Sequence, residues 1–334
     1  MRWWINSQVA HALVRAVSRL LSAPAPVSEP TSVAKSGDAA RTSACATFAP
    51  LLILLAVATA TARAAGPVDF GNAELNAALA ERKLKLHVDT ELNLNPPETF
   101  SITLYRTGMV RVTGGDLRGL MYGLIEASEQ IRATGKLKAA SGRPATPVRG
   151  VRMTLRSYDL AQPWFSSDAQ WRDYFQTLAR ARLNRLSLMI TLPEADIERL
   201  RILSETATEY GVDFVLGIRH LEGDPRQVYA RLRAILDTCP LIRGVQIEAG
   251  DESVQVYQEG VFRALRESGR RVPLDLRNGN DRPDLVRAAA GSGTPLSAPG
   301  FEMDAPGPDF LGDHSQVYWN NGRTSYDAAF QIPK

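Results

Sequence analysis

The chain has 334 residues, of which 44% are hydrophobic and 22% are charged, and it contains 25 glycines. This composition is typical of globular proteins with a sizeable core and excludes collagen-like, coiled-coil and wholly disordered classes. The formal charge is +3, but residues 1–65 hold six of the 39 basic residues and only two of the 36 acidic ones. The remainder is nearly neutral, so we expect no nucleic-acid partner.

Two cysteines and four histidines are spread along the chain. Cys45 and Cys239 are too few for a disulfide framework. The histidines lack the spacing of a metal-binding motif. We therefore expect no metal site, and no cofactor is implied.

Residues 1–65 are predicted to be a leader that contains a signal peptide. The apolar run Phe48–Ala60 has the length of a secretory signal and is shorter than the ~20 apolar residues of a membrane span. Small residues from Ala62 to Ala64 fit a cleavage site, which places cleavage near Ala65. We expect export to the periplasm or the extracellular space, with no stable membrane anchor after cleavage. A single, unusually short membrane helix is the alternative.

Residues 66–146 are predicted to form a small α+β domain. The segment Ala73 to Glu81 is typical of a helix, and the alternating residues Lys83 to Val88 are typical of a strand. Two further strand-like runs, Ser101 to Tyr105 and Met109 to Gly114, are separated by three residues that include a glycine. This spacing predicts a β-hairpin.

A helix is predicted to follow the hairpin directly. Apolar residues recur at helical spacing from Leu117 to Ile131, and Asp116 is placed to cap the helix. The pair Gly114-Gly115 is expected to supply the backbone freedom of the turn. The segment Lys136 to Pro147 then has the composition of a linker.

Residues 147–334 alternate strand-like and helical segments at steps of about thirty residues. Near-continuous apolar strands that alternate with helices predict a parallel sheet covered by helices, as in doubly wound and closed-barrel folds. The first strand lacks a glycine-rich phosphate loop after it, which weighs against a dinucleotide-binding fold. The strand-like runs begin near Val148, Arg185, Asp213, Ile242, Val272 and, more weakly, Thr294.

The predicted fold is therefore an incomplete (β/α)8 TIM-type barrel preceded by the small α+β domain. A complete barrel takes ~250 residues, and Val148 to Lys334 is 187 residues. The tail from Gly300 is rich in Gly, Pro and Asp and lacks a clear helical pattern. We expect that the barrel is truncated.

The segment Gln246 to Ser253 carries the strongest chemical signal. An apolar strand ends there, a glycine allows a sharp turn, and the adjacent carboxylates Asp251 and Glu252 precede a helix. Two carboxylates in one cleft repel each other, so that one pKa rises and that group can act as an acid near neutral pH. Glycoside cleavage needs such a pair. Acidic residues before a helix are also common helix caps, and this alternative remains open.

Other polar residues are expected to meet the carboxylates, because the loops after the strands form the active face of a parallel barrel. Each also has a structural interpretation, as an ion pair for the charged residues or as core packing for the tryptophan. The candidate substrate-binding residues are Arg156, Asp159, Trp164, Arg219, His220, Glu248, Arg277 and Asn278.

The hairpin and helix from Phe100 to Ile131 resemble the small domain that precedes the barrel in family 20 glycoside hydrolases (β-N-acetylhexosaminidases) and in α-glucuronidases. In those enzymes a hairpin leads through a glycine turn into a helix like GLMYGL. The segment Val148 to Ile190 is similar to their first barrel unit, in which an RG strand leads to a helix that ends in LNxL. The resemblance extends from Phe100 to Asn278.

The resemblance implies roles for the acidic pair. Family 20 enzymes carry an Asp-Glu pair after the fourth strand, which implies that Glu252 is the general acid and that Asp251 orients a substrate acetamido group. The chain departs from the family pattern because Gln246 stands where a histidine is expected. A uronic acid is therefore an alternative substrate, with Arg219 or Arg277 as its partner.

These observations predict an exported glycosidase that hydrolyses O-glycosyl bonds of an oligosaccharide or polysaccharide. The expected partner is a carbohydrate substrate. A carbohydrate-binding relative without catalysis and an inactive truncated fragment are the alternatives.

Overall fold

The computed structural model of the protein describes residues 66–105, 108–145, 147–221, 223–277, 282–293, 296–297 and 315–317. The predicted leader lies outside these ranges, which all belong to one compact unit. Among the described residues, no helix combines the length and apolar character needed to cross a bilayer.

Helices and strands alternate along most of the described chain. The α-helices are α1 (Pro67–Glu81), α2 (Leu117–Thr134), α3 (Ser157–Leu160), α4 (Pro163–Ser166), α5 (Asp168–Arg180), α6 (Ile197–Glu209), α7 (Pro225–Thr238), α8 (Arg263–Glu267) and α9 (Pro283–Ala290). Leu192–Glu194 forms a 3-10 turn and Val256–Phe262 a π-helix. The strands are β1 (Val88–Leu92), β2 (Phe100–Leu104), β3 (Val110–Gly114), β4 (Ala140–Gly142), β5 (Gly150–Thr154), β6 (Arg185–Ile190), β7 (Asp213–Ile218), β8 (Ile242–Glu248), β9 (Leu274–Arg277), β10 (Leu296–Ser297) and β11 (Ser315–Val317).

The first sheet has the strand order β1-β3-β2-β4. Strands β2 and β3 pair antiparallel, which confirms the predicted hairpin. The strand predicted over Lys83 to Val88 is wrong in position. The observed strand begins at Val88, which pairs with Val110 at the start of β3.

The predicted linker contains strand β4, which pairs with β2. Gly142 allows this pairing because a Cβ atom there would lie 2.4 Å from the Phe100 ring. Gly114 likewise leaves room for close packing, since its Cβ would lie 2.2 Å from the backbone nitrogen of Leu120. The Gly114-Gly115 pair was predicted for its backbone freedom, but neither glycine has a positive φ. Glycine is required there by close approach.

Helix α2 begins as predicted. The Oδ1 atom of Asp116 accepts a hydrogen bond from the backbone nitrogen of Gly119 at 2.6 Å and from that of Glu98 at 3.0 Å. The cap therefore also fixes the chain that enters the hairpin. The apolar face of α2 packs on α1 and on the first sheet, with Leu120, Leu124 and Ile131 buried.

The second sheet has the order β10-β9-β8-β7-β6-β5-β11. Strands β5 to β10 are parallel neighbours in chain order, which confirms the predicted parallel sheet. Strand β11 pairs antiparallel with β5. Among the described strands, β10 and β11 lie at the two edges of this sheet. The predicted incomplete barrel stays a prediction.

The two faces of the second sheet differ in chemistry because successive side chains on a strand point to opposite faces. One face is apolar and forms the core with the helices, as Leu186, Leu188, Val245 and Ile247 illustrate. The alternate positions carry buried polar side chains, which are Arg152, Ser187, Gln246, Asp275 and Arg277. The helix-covered face thus builds the core, and the other face carries polar groups.

The buried carboxylate of Glu98 joins the segment before the second sheet to the strands of that sheet. Its Oε1 atom accepts hydrogen bonds from Arg118 at 2.7 Å and from Asn184 at 2.8 Å, and its Oε2 atom accepts one from Arg149. Arg118 also reaches Asp213 at 2.8 Å. Burial by itself would raise the pKa of Glu98, but the two arginines and Asn184 lower it below its usual range.

Glu98 also has a left-handed backbone conformation, with φ near 60°. This conformation is uncommon for residues other than glycine and costs on the order of 1 kcal/mol or more. The contacts of its carboxylate offset that cost.

We expect Glu98→Gln to lower the free energy of unfolding by about 3–5 kcal/mol, because it removes the buried negative charge that lies between half-buried Arg149 and Arg118 and leaves Arg118 with Asp213 alone. Urea denaturation near neutral pH measures the change. Glu91→Gln is the matched control, because Glu91 is exposed and makes one ion pair with Arg111 at 3.3 Å. An equal, small loss in both variants would contradict the structural role of Glu98.

The same variant has a defined pH dependence. Because the folded-state pKa of Glu98 is lowered, its stabilisation is complete above the pKa of the unfolded chain and is lost as pH falls through the folded-state value. The difference in stability between Glu98→Gln and the wild-type protein should therefore shrink as the solution is acidified.

Candidate functional site

The carboxyl ends of the parallel strands bring several predicted residues to one edge of the second sheet. Glu248 ends β8 and lies in register with Arg277, which ends β9. Glu248 is half-buried, whereas Arg277 is only 1% exposed. The backbone nitrogen of Ala249 donates to the carbonyl oxygen of Arg277 at 3.0 Å, which holds the two strand ends together.

The acidic pair lies in the turn that follows β8. Asp251 is exposed and Glu252 is half-buried. The Glu252 side chain folds back over its own turn, since a Cβ atom on Gly250 would lie 2.6 Å from its Oε2 atom. Its Oε1 atom accepts a hydrogen bond at 3.3 Å from the backbone nitrogen of Leu221, in the loop after β7.

Tyr257 is a polar partner of this pair that the sequence did not reveal. Its side chain is fully buried, and its hydroxyl donates to the Oε2 atom of Glu252 at 2.7 Å. The same hydroxyl accepts a hydrogen bond from the backbone nitrogen of Gly250 at 3.2 Å. Burial, together with the neighbouring Glu252 carboxylate, raises the pKa of Tyr257, so the tyrosine is a donor to Glu252.

The sequence predicts a raised pKa for one carboxyl of the acidic pair, and Glu252 is not that group because its pKa is lowered. Burial alone would raise it, but the hydrogen bonds from Tyr257 and from the backbone of Glu252, Leu221 and Gly250 lower it. The reason is that a carboxylate that accepts several hydrogen bonds in the folded protein is stabilised in its charged form. In the free protein, Glu252 is therefore ionised near neutral pH.

Arg282 clamps the same turn from the other side. Its guanidinium donates to the carbonyl oxygens of Gly250 and, at 3.1 Å, of Glu252. It also pairs with Asp284 at 3.3 Å. Sequence reasoning missed this arginine because it belongs to the start of helix α9 and lies 30 residues after the glutamate that it contacts.

The loop after β5 uses its predicted residues mainly in packing. Asp159 is 1% exposed and accepts a hydrogen bond from the backbone nitrogen of Arg156 at 2.8 Å, so it caps the short helix α3. Arg156 itself is exposed. Trp164 is 6% exposed and packs against Phe165 and Trp171 at ring distances of 6.0 Å. Trp164 is a candidate substrate-binding residue with core packing as its alternative, and the structure places its ring in the aromatic core.

A further carboxylate lies at this edge of the sheet. Glu194 is exposed and accepts hydrogen bonds from the hydroxyls of Ser157 and Thr191, which follow β5 and β6. These bonds lower the pKa of Glu194. Ser157 and Thr191 follow different strands, so the sequence did not indicate that their hydroxyls both bind Glu194.

Three candidate substrate-binding residues remain, which are Arg219, His220 and Asn278. After β7, Arg219 is half-buried and His220 is exposed. Asn278 lies outside the described residues. The described part of the chain contains no group of three or more His, Cys, Asp or Glu side chains that could hold a metal ion.

A small pocket lies against the polar face of the second sheet and not beside Glu252. Arg152, Arg185 and Gln246 contribute to its lining, together with residues at the start of β5. Gln246 donates to Asp275 at 2.9 Å, so this polar side chain belongs to a network inside the sheet.

No family model and no curated protein matches the chain. Among solved structures, a family 138 glycoside hydrolase that targets pectin rhamnogalacturonan II matches with a TM-score of 0.59 and 17% identity, over 69% of this chain and 45% of that one. A family 20 exo-β-N-acetylglucosaminidase from Vibrio harveyi matches with a TM-score of 0.46 and 12% identity, over 70% of this chain and 55% of that one. A family 115 4-O-methyl-α-glucuronidase matches with a TM-score of 0.48 and 13% identity, over 70% of this chain and 43% of that one.

The structural neighbours are thus glycoside hydrolases, and the chain spans about half of their length or less. At 17% identity, the likeness to the family 138 enzyme concerns the fold alone. It supports a glycosidase-like fold for the described α/β sheet.

We expect Trp164→Ala to lower the free energy of unfolding by about 3–5 kcal/mol, because it removes a large aromatic ring from the core. Chemical denaturation measures the change. Tyr158→Ala is the control, since half of that side chain is exposed, and it should cost much less. Normal stability of Trp164→Ala together with weakened sugar binding would instead support a substrate-binding role for Trp164.

Proposed function

We propose that this protein is a glycoside hydrolase that cleaves O-glycosyl bonds of an oligosaccharide or polysaccharide, with Glu252 as the general acid and Asp251 as its partner. The observation that carries this proposal is the position of the acidic pair. Both residues lie in the turn after β8, at the carboxyl edge of the parallel sheet, where enzymes with this architecture place catalytic residues. The fold likeness to glycoside hydrolases supports it.

The local chemistry divides the work between the two carboxylates. Asp251 is exposed and available to a ligand, whereas Glu252 is held by Tyr257 and backbone donors. A general acid must carry a proton, which it gives to the leaving oxygen. Since donors stabilise ionised Glu252, we infer that only its protonated fraction at low pH is active in the free protein.

The substrate class follows from the charges at the same edge. Arg219 is half-buried and follows β7, and Arg277 ends β9. A guanidinium can bind a carboxylate in a two-pronged geometry. Because Arg277 is only 1% exposed, Arg219 is the accessible arginine of the two, and it supports a uronic acid as one substrate class. An N-acetylated sugar is the other class to be tested.

Export is part of the proposal. It is supported by the apolar run Phe48–Ala60 and the small residues that follow it. Mature protein that starts near Ala65 in the exported fraction is the expected result, and full-length protein retained in the membrane fraction would overturn this part.

A second candidate function is carbohydrate binding without catalysis. It is favoured by the number of donors around Glu252, because a carboxylate bound on several sides is also typical of a structural role. In that case, saturable oligosaccharide binding without product formation is expected, and Glu252→Gln should leave the binding unchanged.

Hydrolysis of aryl glycosides should fall by on the order of 100-fold in Glu252→Gln, the range that general acids usually supply. The assay uses aryl β-N-acetylglucosaminides and aryl α-glucuronides. Glu259→Gln is the matched control, because this carboxylate of the π-helix is exposed and accepts a hydrogen bond from the Gln255 side chain at 2.8 Å. Equal turnover in the wild-type protein and Glu252→Gln would remove Glu252 from the mechanism.

The pH dependence of kcat/KM should show its maximum on the acid side. The pKa of Glu252 is lowered in the free protein, so the acid form is lost as pH rises through that value. A rate that instead rises with pH over the same range would assign Glu252 the role of a base or nucleophile.

A further inference from the structure

The hydroxyl of Tyr257 contacts both the Glu252 side chain and the Gly250 backbone in the turn after β8. It donates to the Oε2 atom of Glu252 at 2.7 Å and accepts from the backbone nitrogen of Gly250 at 3.2 Å. The rest of the ring is inaccessible to solvent and packs near Phe262, with the ring centres 6.4 Å apart. The hydroxyl is therefore fixed by the core, while the carboxylate that it contacts is half-exposed.

The backbone explains how a core residue reaches this turn. Tyr257 lies in the π-helix Val256–Phe262, a wider turn than the α-helix, and such turns occur frequently at functional sites. Gly260 seats this turn against helix α7, since a Cβ atom there would lie 2.8 Å from the Cγ1 atom of Val228. The π-helix thus fixes Tyr257 against the neighbouring βα unit.

We infer that Tyr257 is a positioning residue that holds the Glu252 carboxyl over the turn from Gly250 to Glu252. The backbone nitrogen of Leu221 is a second donor, and it donates to the other carboxylate oxygen of Glu252 at 3.3 Å. Tyr257 fixes the direction of the Glu252 carboxyl and stabilises its charged form together with the backbone donors. Only the catalytic consequence of this role rests on the proposed function.

The charged groups around Glu252 are few among the described residues. Arg282 contacts the backbone of the turn and is itself paired with Asp284, and Asp251 precedes Glu252 in the chain. The neighbouring His220 is exposed at the end of β7. Hydrogen bonds from Tyr257 and from the backbone, rather than a direct ion pair, therefore control the carboxyl.

The test is the titration of Glu252 in the full chain, followed by NMR of carbon-labelled glutamate side chains and assigned through the signal lost in Glu252→Gln. In Tyr257→Phe, the titration midpoint of Glu252 should move to higher pH, because the carboxylate loses a donor. Gly250→Ala should give a shift in the same direction by displacing the carboxyl without touching Tyr257.

Tyr229→Phe is the matched control. Tyr229 donates to the exposed carboxylate of Glu267 at 2.6 Å, so this variant removes the same kind of hydrogen bond elsewhere. It should leave the midpoint of Glu252 unchanged. Thermal unfolding of each variant reports whether the fold is kept, and Gly250→Ala supplies the result if Tyr257→Phe fails to fold.

An unchanged midpoint in folded Tyr257→Phe or Gly250→Ala would overturn the positioning role. If the wild-type protein hydrolyses a glycoside, the alkaline limb of kcat/KM should move to higher pH in both variants and stay in place in Tyr229→Phe. A shifted midpoint in a protein that hydrolyses no glycoside would support the positioning role and refute the proposed function, so the two failures are distinguishable.

Discussion

The fold depends on one buried carboxylate. Glu98 joins the residues of the first sheet to the second through Arg118, Arg149 and Asn184, and its own backbone is strained to reach them. Removing one partner of such a network leaves buried charges without compensation, which costs more than the network contributes by its presence. The amino ends of the strands are thereby fixed, and the carboxyl ends can carry loops of different chemistry.

The two ends of the second sheet use charge in different ways. At the amino end, acidic groups such as Glu98 and Asp213 meet arginines, and these pairs hold segments together. At the carboxyl end, Glu252 and Glu194 are held by hydroxyl and backbone donors. An ion pair at this edge would compete with a ligand, whereas hydrogen bonds from hydroxyls orient a carboxylate without neutralising it. This difference supports the proposed site at the carboxyl edge.

Sequence reasoning predicted the order of strands and helices well, because hydrophobic periodicity reports which face of each element is buried. It misplaced β1 and missed β4, since the pairing of short strands depends on where the neighbouring strand begins. It selected Asp251 and Glu252 from their position before a helix. It did not find Tyr257, which has the apolar spacing of a core residue. For Trp164 it left ligand binding and core packing both open, and the ring is buried in the core.

The sequence by itself determined the parallel α/β arrangement, the hairpin and its capped helix, and the place of the acidic pair after the fourth strand of the second sheet. Periodic burial and local capping encode these features within short stretches of chain. Only the tertiary structure decided the charge state of Glu252, because its donors come from Leu221 on another loop and Tyr257 on a π-helix. A carboxyl group responds to atoms within a few ångströms, and the fold chooses which atoms those are.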